Sequence, residues 1–198
     1  MNLFRTLPLI LIPLSLSACA IPTGPVEVTR FNRIAEGVVY GTGSFTVTPA
    51  GDAQSGDGLA LSPYLAAVER EMKRVGYSEA LGATDVVAEI SVQRVEFRGN
   101  NRSPVSVGVG GSTGSYGSGV GVGVGVNLNA LADQRGVETM LDVRIRRTAD
   151  NLVIWEGKAV QSGAANSPSA QPGIAASKLA AALFKDFPGT SAETITVP

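Results

Sequence analysis

The sequence contains no histidine and a single cysteine, Cys19. Without histidine there can be no Ser-His-Asp triad, no Cys-His dyad and no imidazole-ligated metal. One cysteine cannot close an internal disulfide, so stability must come from packing. Neither sign of charge is in excess: 16 cations against 17 anions leave a net charge of −1. A near-neutral chain makes no electrostatic case for nucleic acid, which calls for a basic footprint. No Gly-Lys-Ser or Gly-Lys-Thr step occurs, which excludes a P-loop. Long apolar runs are missing too. The run from Leu7 to Ala18 is roughly a dozen residues, short of the ~18 that a spanning helix needs, and Pro8 and Pro13 interrupt it.

That short run still carries information. Arg5 precedes it, and small residues follow at Ser17 and Ala18, the pattern of an export signal. Leu16-Ser17-Ala18-Cys19 resembles the lipobox of bacterial lipoproteins. That resemblance implies a cut before Cys19 and a diacylglycerol on its thiol, with an N-acyl chain on the new terminus. Residues 1–18 would be the signal peptide. The alternative is an ordinary secretory cut that leaves Cys19 as a free thiol. One acyl chain holds a protein only marginally, whereas two or three make release negligible. Lipoproteins kept in the inner membrane resemble one another in an Asp after the cysteine. Here residue 20 is Ala, which implies the outer membrane, with the domain on its periplasmic side.

Losing Arg5 with the leader leaves fifteen cations and seventeen anions, a mature charge of −2. The mature chain is long enough for one domain with a real core and too short to require two. Residues 19–25 form a tether containing Pro22 and Pro25. Fully stretched, such a tether reaches at most ~25 Å. A partner must therefore come to the domain, which spans residues 26–198.

Alternation marks strands over Val26–Ile34 and Ser44–Thr48, with Phe31 out of phase with Val26, Val28 and Arg30. Ser62-Pro63 reads as N-cap and first helical position of a helix to Val75, stopped by Gly76. Leu65, Val68, Met72 and Val75 form its apolar stripe, and Glu69 and Lys73 its i,i+4 pair. Asp85–Phe97 is a long strand with a bulge expected near Gln93-Arg94. Thr139–Thr148 and Leu152–Val160 form a hairpin turned at Asp150-Asn151. Gly173–Phe187 is an Ala-rich helix with Ile174, Ala181 and Phe184 as core contacts, and Glu193–Val197 a last strand. The fold class this predicts is α+β: a mostly antiparallel sheet with two helices packed on one face.

Between the central strands lies Gly119-Val120-Gly121-Val122-Gly123-Val124-Gly125-Val126. At period two every valine faces one way and every glycine the other. The bare face of Gly119, Gly121, Gly123 and Gly125 fits beneath the Ala-rich helix, belongs to a loosely ordered hairpin, or serves as a docking edge for a partner strand. A dinucleotide loop would need G-x-G-x-x-G before a helix, and neither is present.

The remaining chemistry is sparse. Asp85, Glu89 and Asp142 could form a carboxylate pair of the kind glycosidases use, or be solvated strand and turn residues. Arg144, Arg146 and Arg147 form a basic cluster, either a solvated face or a contact for anionic headgroups or peptidoglycan carboxylates. Trp155 reads as a core anchor. The ordered set of motifs resembles the DUF4136 family of bacterial lipoproteins, a domain of unknown function. It comprises the lipobox, Leu65-Ala66-Ala67-Val68-Glu69-Arg70-Glu71-Met72-Lys73-Arg74-Val75-Gly76-Tyr77, Thr84-Asp85-Val86-Val87-Ala88, the Gly-rich segment, Leu141-Asp142-Val143-Arg144-Ile145, and Leu152-Val153-Ile154-Trp155-Glu156-Gly157-Lys158-Ala159. The resemblance implies an envelope lipoprotein and supplies no catalytic residues. The expected function is a non-catalytic binding or structural role at the outer membrane. The expected partners are the membrane itself, through the anchor, and an envelope protein or peptidoglycan. No cofactor is expected apart from the lipid on Cys19. The alternatives are a periplasmic carrier of a small ligand or lipid, held between sheet and helices, and a carboxylate-dependent glycan hydrolase.

Overall fold

In the computed structural model, residues 24–33, 38–51, 58–98 and 135–198 are described. The long alternating stretches form the centre of the sheet. β4 (Val86–Arg98), β5 (Arg135–Arg147) and β6 (Leu152–Ala164) run antiparallel in sequence order. Val86, Ala88 and Ile90 on β4, and Leu141, Val143 and Ile145 on β5, are buried, as the period-two pattern requires. Asn151, with φ 58°, supplies the left-handed residue of the β5–β6 turn.

β1 (Val26–Asn32) pairs with the outer side of β6, and β7 (Glu193–Val197) pairs with β1, both antiparallel. On the other side, β2 (Ser44–Pro49) pairs parallel with β4, and the two-residue β3 (Ser78–Glu79) pairs parallel with β2. The order is β3-β2-β4-β5-β6-β1-β7. The sheet is therefore mixed, not the mostly antiparallel one that the run of strands suggested. The reason is local: α1 (Gly58–Arg74) intervenes between β2 and β4, and a parallel neighbour needs such a crossover.

α1 begins four residues before Ser62, so Pro63 lies inside the helix rather than at its first position. Gly76 takes φ 111° and ends it as expected. Lys73 Nζ meets Glu69 Oε1 at 2.7 Å. α2 (Pro172–Leu183) buries Ala175, Ala176, Leu179, Ala180 and Leu183. Ile174 and Ala181, assigned to the core from sequence, are exposed instead. In an Ala-rich helix several stripes are nearly equivalent, and the neighbours choose among them.

α1 touches α2, β2 and β4, whereas α2 touches β1, β5 and β6. Residues of both helices share one apolar cluster with the buried side of the strands. Trp155 anchors it at 1% exposure, as expected. Its ring stacks on Phe184 at 5.3 Å, and Nε1 donates to the Pro188 carbonyl at 3.0 Å. No register shift occurs at Gln93-Arg94, since β4 and β5 stay paired from Val86–Arg147 through to Arg98–Arg135. The irregularity lies between Ile145 and Arg146. It sets Trp155 opposite Ile145 but Val153 opposite Arg146, so these two do not share a face as plain alternation predicts.

Candidate functional site: the second face of the sheet

The side chains that alternate with the core residues line a groove of about 700 Å³ across β1, β4, β5 and β6. Strand register places them in cross-strand rows. One row is Gln93, Met140, Val160 and Glu27. The next is Ser91, Asp142, Lys158 and Thr29, and the third is Glu89, Arg144, Glu156 and Phe31. Phe31 is thus out of phase with Val26, Val28 and Arg30, as expected, and lies with Glu27 and Thr29 on this second face, where it is 49% exposed.

Most charges here are neutralised by neighbours. Arg144 Nη2 reaches Glu156 Oε1 at 2.8 Å, and Lys158 Nζ reaches Asp142 Oδ1 at 3.5 Å. Arg146, beside the groove, reaches Glu89 Oε2 at 2.6 Å. The hydrogen bond to Glu156 raises the Arg144 guanidinium further above its ordinary value. Burial pushes the Asp142 carboxyl up, against the downward pull of Lys158. Such partly exposed pairs contribute about 0.2–1 kcal/mol each. Their larger effect is to hold extended side chains in a fixed pattern.

Two carboxylates differ from the rest. Glu27 and Glu138 make no ion pair among the described residues, although Glu138 Oε2 accepts a hydrogen bond from Ser162 Oγ at 3.1 Å. Glu27 Oε2 is buried and has no hydrogen-bond partner. Burial, and then the charge of Glu138, raise the Glu27 carboxyl above its ordinary range. Between them the floor is apolar, with Val160 and Met140 side by side.

Cys19 and Gly119, Gly121, Gly123 and Gly125 lie outside the described residues. The three arginines suggested as an anion contact each meet a carboxylate, with Arg147 paired to Asp150 at 2.6 Å. An anion would have to displace these partners. The carboxylate candidates are dispersed in role. Asp85 Oδ2 accepts from both the amide and the hydroxyl of Ser44 at 2.7 Å, while Glu89 and Asp142 line the groove in ion pairs. Glu27 and Glu138 were not singled out from sequence. The available signal was the alternation of Val26–Asn32, which sets Glu27, Thr29 and Phe31 opposite the core residues. The sheet–helix interface, expected to offer space for a ligand, is filled by fully buried side chains such as Trp155, Phe184, Met72 and Leu179. Among the described residues no group of three or more Asp, Glu, His or Cys is placed to hold a metal.

Fold and groove together define an α+β domain on a seven-stranded mixed sheet, with the surface of interest on strands rather than on loops. The family model described as a domain of unknown function, DUF4136, matches residues 28–189, and the chain belongs to that family. An uncharacterized protein of Zymomonas mobilis is 38% identical over 66 residues, which is 33% of this chain and 25% of that protein. The matched stretch therefore spans a quarter of that relative's length. A PDZ domain protein from Parabacteroides distasonis superposes with a TM-score of 0.52 at 12% identity, covering 88% of this chain and 39% of that one, which shows the fold alone. The PelC dodecamer from Paraburkholderia phytofirmans gives 0.39 at 11% identity over 80% of this chain and 93% of that one, too distant to carry an argument.

Proposed function

We propose that this is a lipid-anchored, non-catalytic binding protein on the periplasmic side of the outer membrane, and that the groove is its binding surface. The anchor is Cys19, and the tether to the first strand is short: β1 starts at Val26, seven residues on. The observation that carries the binding reading is the groove itself. Both helices contribute to one core, so we take them to cover one face of the sheet and leave the other to a ligand. Its volume falls within the range of small-molecule sites, which are about 300–1,000 Å³. The missing histidine and the separate roles of Asp85, Glu89 and Asp142 favour binding over hydrolysis. For the carrier alternative we take the groove as the ligand space, because the interface between sheet and helices is filled by buried side chains.

Two measurements test this. The intact mass of the mature chain from its own host should equal Ala20–Pro198 plus a lipidated Cys19, and Cys19→Ala should leave the membrane fraction. A photoreactive side chain at Ser91, in the groove, should give adducts in the envelope that one at Lys185, outside it, does not. An unmodified Cys19 sinks the anchor, and equal adducts at both positions sink the groove.

A further inference from the structure

The groove contains more acid than base. Three of its carboxylates, those of Glu89, Asp142 and Glu156, are matched by Arg146, Lys158 and Arg144. Glu27 and Glu138 are not matched by any cation among the described residues. They stand on β1 and β5, on either side of β6, with Val160 and Ser162 between their strands. They are close enough for the charge of Glu138 to act on Glu27. The desolvated Glu27 Oε2 has no donor. A buried acceptor without a donor is costly, so a ligand that supplies one gains more there than at the solvated rim.

We infer that this end of the groove binds a small organic cation, a protonated amine on an apolar body, with its charge between Glu27 and Glu138 and its body over Met140 and Val160. The inference rests on the reading of the groove as a ligand site. An anion is disfavoured by the two unmatched carboxylates. A hard divalent cation would take six or more oxygen ligands, and two carboxylates beside an apolar floor do not supply them. An ammonium carries three donors and no acceptor, which suits two acceptor-only side chains. The paired charges along the rest of the groove need no further partner.

The test uses the full chain in detergent micelles, titrated with benzylammonium, benzyl alcohol and benzoate and followed by ligand-observed NMR, with micelles alone as the blank. Benzylammonium should bind about tenfold tighter than benzyl alcohol, the scale of hydrogen bonds to charged groups. Benzoate should bind weakest. Glu27→Gln and Glu138→Gln should each narrow the gap between ammonium and alcohol, and the double variant should close it. Glu69→Gln, on the exposed side of α1, should leave the gap intact. Alcohol binding as tightly as ammonium would overturn the cation assignment while leaving the groove as a binding site. An ammonium preference undiminished in both single variants, or still present in the double variant, would place the charge elsewhere and overturn the inference, as would no binding of any probe.

Discussion

Gly157 leaves open the space that the Trp155 indole fills. A Cβ built on Gly157 would fall 3.0 Å from Trp155 Cζ2, closer still to Cη2, and 2.8 Å from Leu183 Cδ1. The two residues lie two apart on β6, so the ring folds back over its own strand and stacks on Phe184. Neither ring nor helix can retreat from a methyl group, since Trp155, Phe184 and Leu183 are all fully buried. Gly157→Ala should therefore destabilise the fold by about 1–3 kcal/mol, the usual cost of overpacking. Urea unfolding followed by the fluorescence of the single tryptophan measures it. A change under a few tenths of a kcal/mol would show that the ring has another place to go.

Arg30 sits on the core side of β1 at 4% exposure, where apolar side chains precede it at Val26 and Val28. Its Nη2 donates to the Ala182 carbonyl at 3.0 Å, near the end of α2, while its Nε is buried without a partner. Burial pulls the guanidinium below its ordinary value, against the upward pull of Asp186 and Glu193. A buried charge so incompletely satisfied contributes little net stability, although its long stem fills volume. Arg30→Met should stay within about 1 kcal/mol of the parent. Arg30→Ala should cost about 2–4 kcal/mol by opening a cavity. Equal losses in the two variants would mean that the charge, not the volume, holds α2 in place.

Element positions were legible wherever one face of the chain is buried and the other is not. The Asp85–Phe97 strand, the Asp150-Asn151 turn, the Gly76 stop and the Glu69–Lys73 pair all follow from local periodicity and turn chemistry. Sheet order was not legible, because parallel pairing of β2 with β4 depends on where α1 carries the chain. The expected bulge at Gln93 reflected a change of burial rather than of register. The core-side alternation fades after Ile90, while the ladder to β5 continues to Arg98. The groove was half visible. Asp142, Glu89 and Arg144 stood out as charges in strands, but their pairing, and the lack of a partner for Glu27, depend on neighbours fixed by cross-strand register. Phe31 does stand out of phase with Val26, Val28 and Arg30, as its sequence position implied, but that the face it shares with Glu27 and Thr29 lines a groove depends on the neighbouring strands.

Asp150 is expected to show in acid unfolding. The side-chain hydrogen bond from Arg147 holds its carboxyl down to about 2, against an ordinary 3.8. A depressed folded value adds stability above the unfolded one and loses it as pH falls towards the folded one. The contribution of Asp150 should therefore fade between about pH 4 and pH 2. Asp150→Asn should remove that part of the acid dependence and change little at neutral pH beyond the loss of the pair. Parallel denaturation curves for parent and variant across this window would remove the assignment. Asp85, held down by the amide and hydroxyl of Ser44, should act in the same direction.

Glu27 should act in the opposite direction, and the contrast separates the groove from the turn. Its folded value is raised, first by burial and then by Glu138, from an ordinary 4.5. The folded protein thus holds the Glu27 proton more tightly than the unfolded chain does. Stability from this residue is complete below the unfolded value and is lost as pH rises through the folded one. At neutral pH the ionised carboxylate opposes folding, and a neutral amide of the same shape does not. Glu27→Gln should therefore be more stable than the parent at pH 7, and the advantage should vanish below about pH 4.5. Denaturant titrations of both proteins at several pH values read this directly. An advantage that persists unchanged at pH 3 would assign the gain to packing rather than charge. A Glu27→Gln protein less stable than the parent at pH 7 would mean that the carboxylate is already satisfied in the free protein, leaving nothing for a cationic ligand to relieve.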